Sequence, residues 1–203
     1  MYFKFKFRAD VMRNSDRENQ IYVWDILVRF FHWSLLILFL IAYISEDDYL
    51  TVHSWAGYLI LGLLVIRILW GFVGTKYARF SNFIYPTEQI KQFLKDTSQL
   101  KAKRYIGHNP AGGAMIILLI SSLILTTVSG LFLLGAESQG PFATLLSGAS
   151  HFWEELFEGV HEFFVNFTLL LIAIHVVGVI VESLIQGENL VSSMINGTKR
   201  KNN

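Results

Sequence analysis

The stretch VHEFFVNFTLLLIAIHVVGVIV (160–181) decides how this chain folds. As a helix it is long enough to cross a hydrocarbon core, which needs about 20 residues. It carries two histidines, His161 and His175. Fourteen residues of α-helix return them to nearly one face, about 21 Å apart along the axis. One imidazole therefore lies near each membrane surface. Ionisable side chains are costly inside a membrane helix, and each marks a functional site by default.

Three further stretches, 26–45, 52–73 and 112–136, are long and apolar enough to cross as well. The 203 residues are 53% hydrophobic and 15% aromatic, and the mean hydropathy is positive, too apolar a composition for an ordinary soluble domain. The expected fold is an all-α integral membrane protein, a four-transmembrane-helix up-down bundle forming one membrane domain over 1–203, with connecting loops at 74–111 and 137–159. The opening twenty residues carry Lys4, Lys6, Arg8, Arg13 and Arg17 and lack an apolar core followed by a small-residue cleavage site. They do not read as a removable signal peptide.

Charge orients the bundle. All of the 17 Lys and Arg residues except Arg67 fall before or at the start of the first helix, between Lys76 and Arg104, or at Lys199 to Lys201. The loops at 46–51 and 137–159 contain neither. The positive-inside rule then puts both termini and the middle loop in the cytoplasm. In that middle loop a short surface helix is expected around 87–95, with Thr87 as its cap. Asn109-Pro110 supplies a cap and first-turn residue for the third span. The segment 152–160, aromatic and acidic, either lies along the outer interface or extends the fourth helix outward.

The histidines carry the chemistry. His32 lies near the cytoplasmic start of the first helix and His53 at the outer start of the second. By depth, His53 pairs with His161 in an outer layer and His32 with His175 in an inner one. Two imidazoles facing each other across a bundle core are a natural axial pair for a haem, so two haems are expected. There is no cysteine, which excludes disulfides, Cys-ligated clusters and covalent haem attachment through C-x-x-C-H. A haem-free proton path or metal transporter using the same histidines is the rival reading. A single bound ion would need its ligands clustered about 2 Å from it, and these histidines divide into two layers.

Other residues fit around those layers. Gly57 and Gly178 lie on the ligand faces, and Gly62 and Gly130 could also admit a porphyrin edge; close helix packing through small residues explains them equally well. Arg67, fourteen residues after His53, falls at the inner level, where a haem propionate would neutralise it. Arg29, one turn before His32, is a second candidate or an interfacial snorkel. His108 and His151 have no partner at matching depth.

Trp24-Asp25 with Arg29, His32 and Trp33, His53 with Gly57-Tyr58, Arg67 with Trp70-Gly71-Phe72 and Gly74, and His108-Asn109-Pro110 form one group of signatures. Ser129-Gly130, His161-Glu162, His175 with Gly178, Glu182-Ser183, Glu188-Asn189-Leu190-Val191, Met194-Ile195, Gly197 and Lys199-Arg200 continue it. Together they resemble the bacterial cytochrome b561 family, which includes the b-type cytochrome subunit of nickel-iron hydrogenases and, more distantly, the gamma subunit of formate dehydrogenase. The resemblance runs from about Trp24 to Arg200. It implies two haem b groups in a bacterial inner membrane, exchanging electrons between quinone or quinol and a periplasmic c-type cytochrome or hydrogenase-like subunit. It also implies a quinone pocket beside the inner haem, at positions matching His175 and Asn109. The resemblance implies an electron-transfer protein, with a quinone-reactive oxidoreductase subunit as its enzyme reading; no nucleic-acid partner is expected. The outer loops hold Glu46, Asp47, Asp48, Glu137, Glu154, Glu155 and Glu158, which would attract a lysine-rich partner, although acidic outer loops also follow from the positive-inside bias.

Overall fold

The computed structural model describes residues 19–46 and 49–201. Lys4, Lys6, Arg8, Arg13, Arg17, Asp47 and Asp48, used above for orientation and surface charge, lie outside the described residues. The membrane-length helices are α1 (Ile26–Ile44), α2 (Leu50–Val73), α4 (Pro110–Ala136) and α5 (His151–Gln186). Two shorter helices, α3 (Thr87–Ser98) and α6 (Leu190–Asn196), and a 3-10 turn at Phe80–Asn82 lie at one end of the bundle.

Local chemistry sets the boundaries. Asp25 accepts from the Val28 backbone N–H at 2.9 Å and starts α1. Asn109 accepts from Gly112 N–H at 2.7 Å, and Pro110 fills the first turn of α4, where its missing N–H costs nothing. Gly187 and Gly197 stop α5 and α6 in the left-handed region, at φ +56° and +86°. One expectation needs correction: Thr87 is not the cap of α3, since Pro86 occupies that position and no side chain caps the helix. Of the two alternatives for 152–160, the segment takes the helical extension, so the fourth long helix begins at His151 and not at 160. Its 36 residues span about 54 Å, well beyond a core of about 30 Å.

Helix α1 packs on α2, α4 on α5, and α2 on α4, whereas α5 stands off from α1 and α2. The apolar core, with Phe31, Phe39, Ile60, Leu64, Ile120 and Leu123 buried, fills the middle of the bundle. At the α4 and α5 contact the buried hydroxyls of Ser122 and Thr168 bond at 2.7 Å, a polar link suited to a lipid-surrounded interface. Strand β1 (Gln20–Tyr22) pairs antiparallel with β2 (Thr198–Arg200), Ile21 opposite Lys199. Residues 20–22 and 198–200 therefore meet at the end of the bundle that also holds α3 and α6.

Candidate functional site

The gap along α5 is bridged twice, each time by a pair of imidazoles. His53, in the first turn of α2, faces His161 of α5 with ring centroids 6.0 Å apart and planes at 76°. His32 of α1 faces His175 of α5 at 6.4 Å and 54°. Two imidazoles on opposite sides of one metal, each bonded at about 2.0 Å, hold their centroids about 6.3 Å apart. Both pairs fit that spacing. Among the described residues no three His, Cys, Asp or Glu side chains converge on a common ion position.

The outer histidines are oriented by backbone. His53 Nδ1 donates to the Ala42 carbonyl at 2.9 Å, and His161 Nδ1 to the Thr126 carbonyl at 2.8 Å. Ala42 lies in the last turn of α1, where carbonyls lack helical partners and are available. With Nδ1 engaged as donor, Nε2 of each ring is left with its lone pair for a metal. The inner pair differs: His32 Nδ1 is buried with no partner among the described residues.

The predicted glycines divide by their surroundings. A Cβ on Gly57, Gly62 or Gly178 would meet nothing within 4 Å, so these are not helix-packing glycines within the chain. At Gly130 a Cβ would come within 2.9 Å of the His161 ring. That glycine gives the imidazole its room.

Arg67 is buried, 3% exposed, and only one of its terminal nitrogens is satisfied, by the Ala78 carbonyl at 3.2 Å. Its Nη1 has no partner among the described residues, and the guanidinium lies over the Phe80 ring at 5.2 Å. A buried cation with an unfilled donor is built to receive an anion. Arg29 donates to the Ile195 carbonyl at 2.6 Å and the Tyr22 hydroxyl at 3.3 Å, fastening the C-terminal segment to α1, while its Nε is buried without a partner among the described residues.

His108 is buried between Trp24 and Phe83, at centroid distances of 4.5 and 4.7 Å. Burial pushes its pKa down to about 3, with the positive charges of Arg67 and Lys199 adding to the effect. It stays neutral at ordinary pH. His151 is exposed and sits against Glu154 and Glu155, at 3.2 and 3.4 Å, far from either pair. Asn109 caps α4 and lies beside Glu182 of α5.

Several supporting residues escaped the sequence reading. Asp25 accepts from Trp70 Nε1 at 3.0 Å and Thr75 Oγ1 at 2.6 Å as well as capping α1. Burial raises its carboxyl, but these bonds outweigh it and hold the group below its ordinary value. Lys199 is buried over the Trp24 ring, and that burial pushes its amine down. Glu188 pairs with Arg104 at 3.3 Å. The signal for these was present, since Trp24-Asp25, Glu188 and Lys199-Arg200 carry the resemblance, but nothing in it assigned them a task.

Residues 23–197 match the family described as prokaryotic cytochrome b561. The chain belongs to the prokaryotic cytochrome b561 family. Members of a cytochrome b561 family carry haem b, so this chain is a transmembrane cytochrome b of electron transport. It is similar to a probable Ni/Fe-hydrogenase B-type cytochrome subunit of Azotobacter chroococcum mcd 1, 25% identical over 93% of this chain and 92% of the relative. Proteins of the same description from Rhizobium leguminosarum bv. viciae and Rhodobacter capsulatus are 24% and 23% identical, over 94% and 89% of this chain and 94% and 82% of theirs. No solved structure matches.

Proposed function

We propose that this cytochrome b561 protein binds two haem b groups, one between His53 and His161 and one between His32 and His175, and passes electrons across a bacterial cytoplasmic membrane. The observation that carries this reading is the pair of histidine layers, each spaced for one metal between two rings. When bound, haem b supplies a one-electron ferric and ferrous couple. The chain's own residues do the rest. Gly57 and Gly178 leave space beside the ligand faces, Gly130 seats the His161 ring, and Arg67 offers Nη1 to a propionate of the inner group. The basic loop, α3, α6 and both chain ends form the cytoplasmic side, and the whole chain acts as one membrane domain.

Quinone or quinol exchanges electrons at the inner layer, where the Asn109 amide and the edge of α4 give its head group hydrogen bonds while its tail stays in lipid. Neutral, ring-packed His108 walls this region; it carries no charge to the reaction. On the outer side the partner is a hydrogenase-like subunit, as the descriptions of the relatives suggest. The exposed Glu46, Glu137, Glu155 and Glu158 favour a second reading, a lysine-rich c-type cytochrome.

The test is haem content with visible spectra of the purified protein and its ligand variants. Two haems per chain are expected, with His53→Ala and His161→Ala losing one and the same, and His32→Ala and His175→Ala the other. If His32→Ala and His161→Ala remove the same haem, the pairing is wrong. A purified protein without b-type absorbance returns the histidines to a proton or metal path.

A further inference from the structure

The two carbonyls that hold the outer histidines have something else in common. Ser45 Oγ, three residues after Ala42, lies 3.3 Å from the Ala42 carbonyl that His53 uses, while making its main bond to Ile41 O at 2.7 Å. Ser129 Oγ, three residues after Thr126, lies 3.0 Å from the Thr126 carbonyl that His161 uses, with its main bond to Leu125 O at 2.7 Å, and it also lies 3.4 Å from His161 Nδ1, a longer contact than the 2.8 Å bond of that nitrogen to Thr126 O. Both serines are buried, each 6% exposed, so water does not compete for these groups. Two different helices thus present the same unit: a serine whose single hydroxyl proton is shared with the carbonyl that a histidine needs.

We infer that Ser45 and Ser129 are positioning residues that moderate the ligand strength of the outer histidines by sharing their carbonyl acceptors. This rests on the proposal that His53 and His161 ligate the outer haem. A histidine that donates Nδ1–H to a strong acceptor gains basicity at Nε2 and becomes a better ligand for ferric iron. A second donor on the same carbonyl draws on its lone pairs and weakens that effect. Serine back-bonding alone is ordinary in membrane helices, and Thr127 shows it, bonding Leu123 O and Ile124 O with no histidine on either carbonyl. The shared acceptor separates Ser45 and Ser129 from such a residue. Nothing equivalent serves the inner pair, where His32 Nδ1 has no partner among the described residues.

The experiment is a redox titration of the purified, full-length dihaem protein, with each haem followed by its own visible band and ferric electron paramagnetic resonance signal. Removing a hydroxyl frees the carbonyl for the histidine and strengthens the ferric state. Ser129→Ala and Ser45→Ala should therefore each raise the ferric-to-ferrous ratio of the outer haem about threefold, ~28 mV lower at 59 mV per tenfold for one electron. The inner haem and the control Thr127→Ala should not move. If an alanine variant loses haem, Ser129→Cys, similar in shape but a weak donor, must shift the outer potential in the same direction. An unchanged or raised outer potential with both haems present, or an equal shift in both haems or in the control, overturns the inference and leaves the haem assignment standing. Loss of the haem assignment would appear separately, as wild-type protein without two haems.

Discussion

At the outer layer His53 and His161 are each tied by Nδ1 to a backbone carbonyl, and the buried cations among the described residues, Arg67 and Lys199, belong to the other end of the bundle. At the inner layer His32 has no such tie, but Arg67, Lys199 and His108 are packed into the surroundings, and Arg67 keeps an unfilled donor. On the proposed two-haem reading, backbone anchoring would favour the oxidised form of an iron between the outer rings, and a buried positive charge the reduced form between the inner ones. The proposed ligands are of one type in both layers, and the difference in what surrounds them would then set two different potentials in one bundle.

Removing a ligand gives the largest effect and tests whether the layers are separate. His161→Ala should halve the haem content and leave the inner spectrum intact, and His175→Ala should do the converse. Haem quantitation with low-temperature visible spectra checks both. If each substitution empties both sites, the layers fold as one cooperative unit and the comparison loses its meaning.

That pairing was legible in the sequence, since helical period and depth depend only on residue number. His161 and His175 had to share a face, and His53 and His32 each had one partner at their level. Asn109 as a cap was legible for the same local reason. The carbonyls of Ala42 and Thr126 were not, because every residue has a carbonyl and no side-chain type announces which will be used. Hydropathy left the start of α5 between two alternatives, because it marks the apolar stretch from 160, while the acidic turns from His151 onward are helical without being apolar. The contact of Arg104 with Glu188, 84 residues apart, needed the fold.

Arg67→Leu probes the inner layer's charge and comes next in size. Losing a nearby positive charge should raise the ferric-to-ferrous ratio of the inner haem about tenfold, ~1.4 kcal/mol, and leave the outer haem unaltered. In haem-free protein the same change removes a buried cation together with its bond to the Ala78 carbonyl and its contact with Phe80, so its effect on stability is expected to be small. A redox titration with both haems retained and no inner shift would return Arg67 to a packing role over Phe80.

Asn109→Leu asks whether the inner layer is also where quinol meets the protein. It should slow quinol-driven haem reduction severalfold while both haem spectra stay intact, and stopped-flow absorbance measures it. Loss of the cap on α4 costs about 1 kcal/mol, a change in stability that thermal melting separates from a change in rate. Normal quinol kinetics, or an inhibitor that perturbs only the outer haem, would move the site to the other face.

The smallest effect concerns Asp25, which clamps the inner end of the bundle by capping α1 and holding Trp70 and Thr75. The other end of α1 finishes at Ser45, whose backbone N–H bonds the Ile41 carbonyl. Asp25 is held below its ordinary pKa, so its contribution is complete above the unfolded value, about 3.9, and fades as pH falls through the lower folded value. Asparagine that keeps its oxygen on the cap turns an amide donor toward Trp70 Nε1 and Thr75 Oγ1, which both donate to Asp25 Oδ2, so Asp25→Asn should cost about 1–2 kcal/mol at neutral pH. The gap between variant and wild type should narrow as pH drops below about 4, because the wild-type carboxyl then also loses an acceptor. Thermal melts followed at the inner haem band across that range check it. A gap that is the same at neutral and acid pH would mean the clamp works without its charge, and the inner end of α1 would then be held by Trp24 and Arg29 instead.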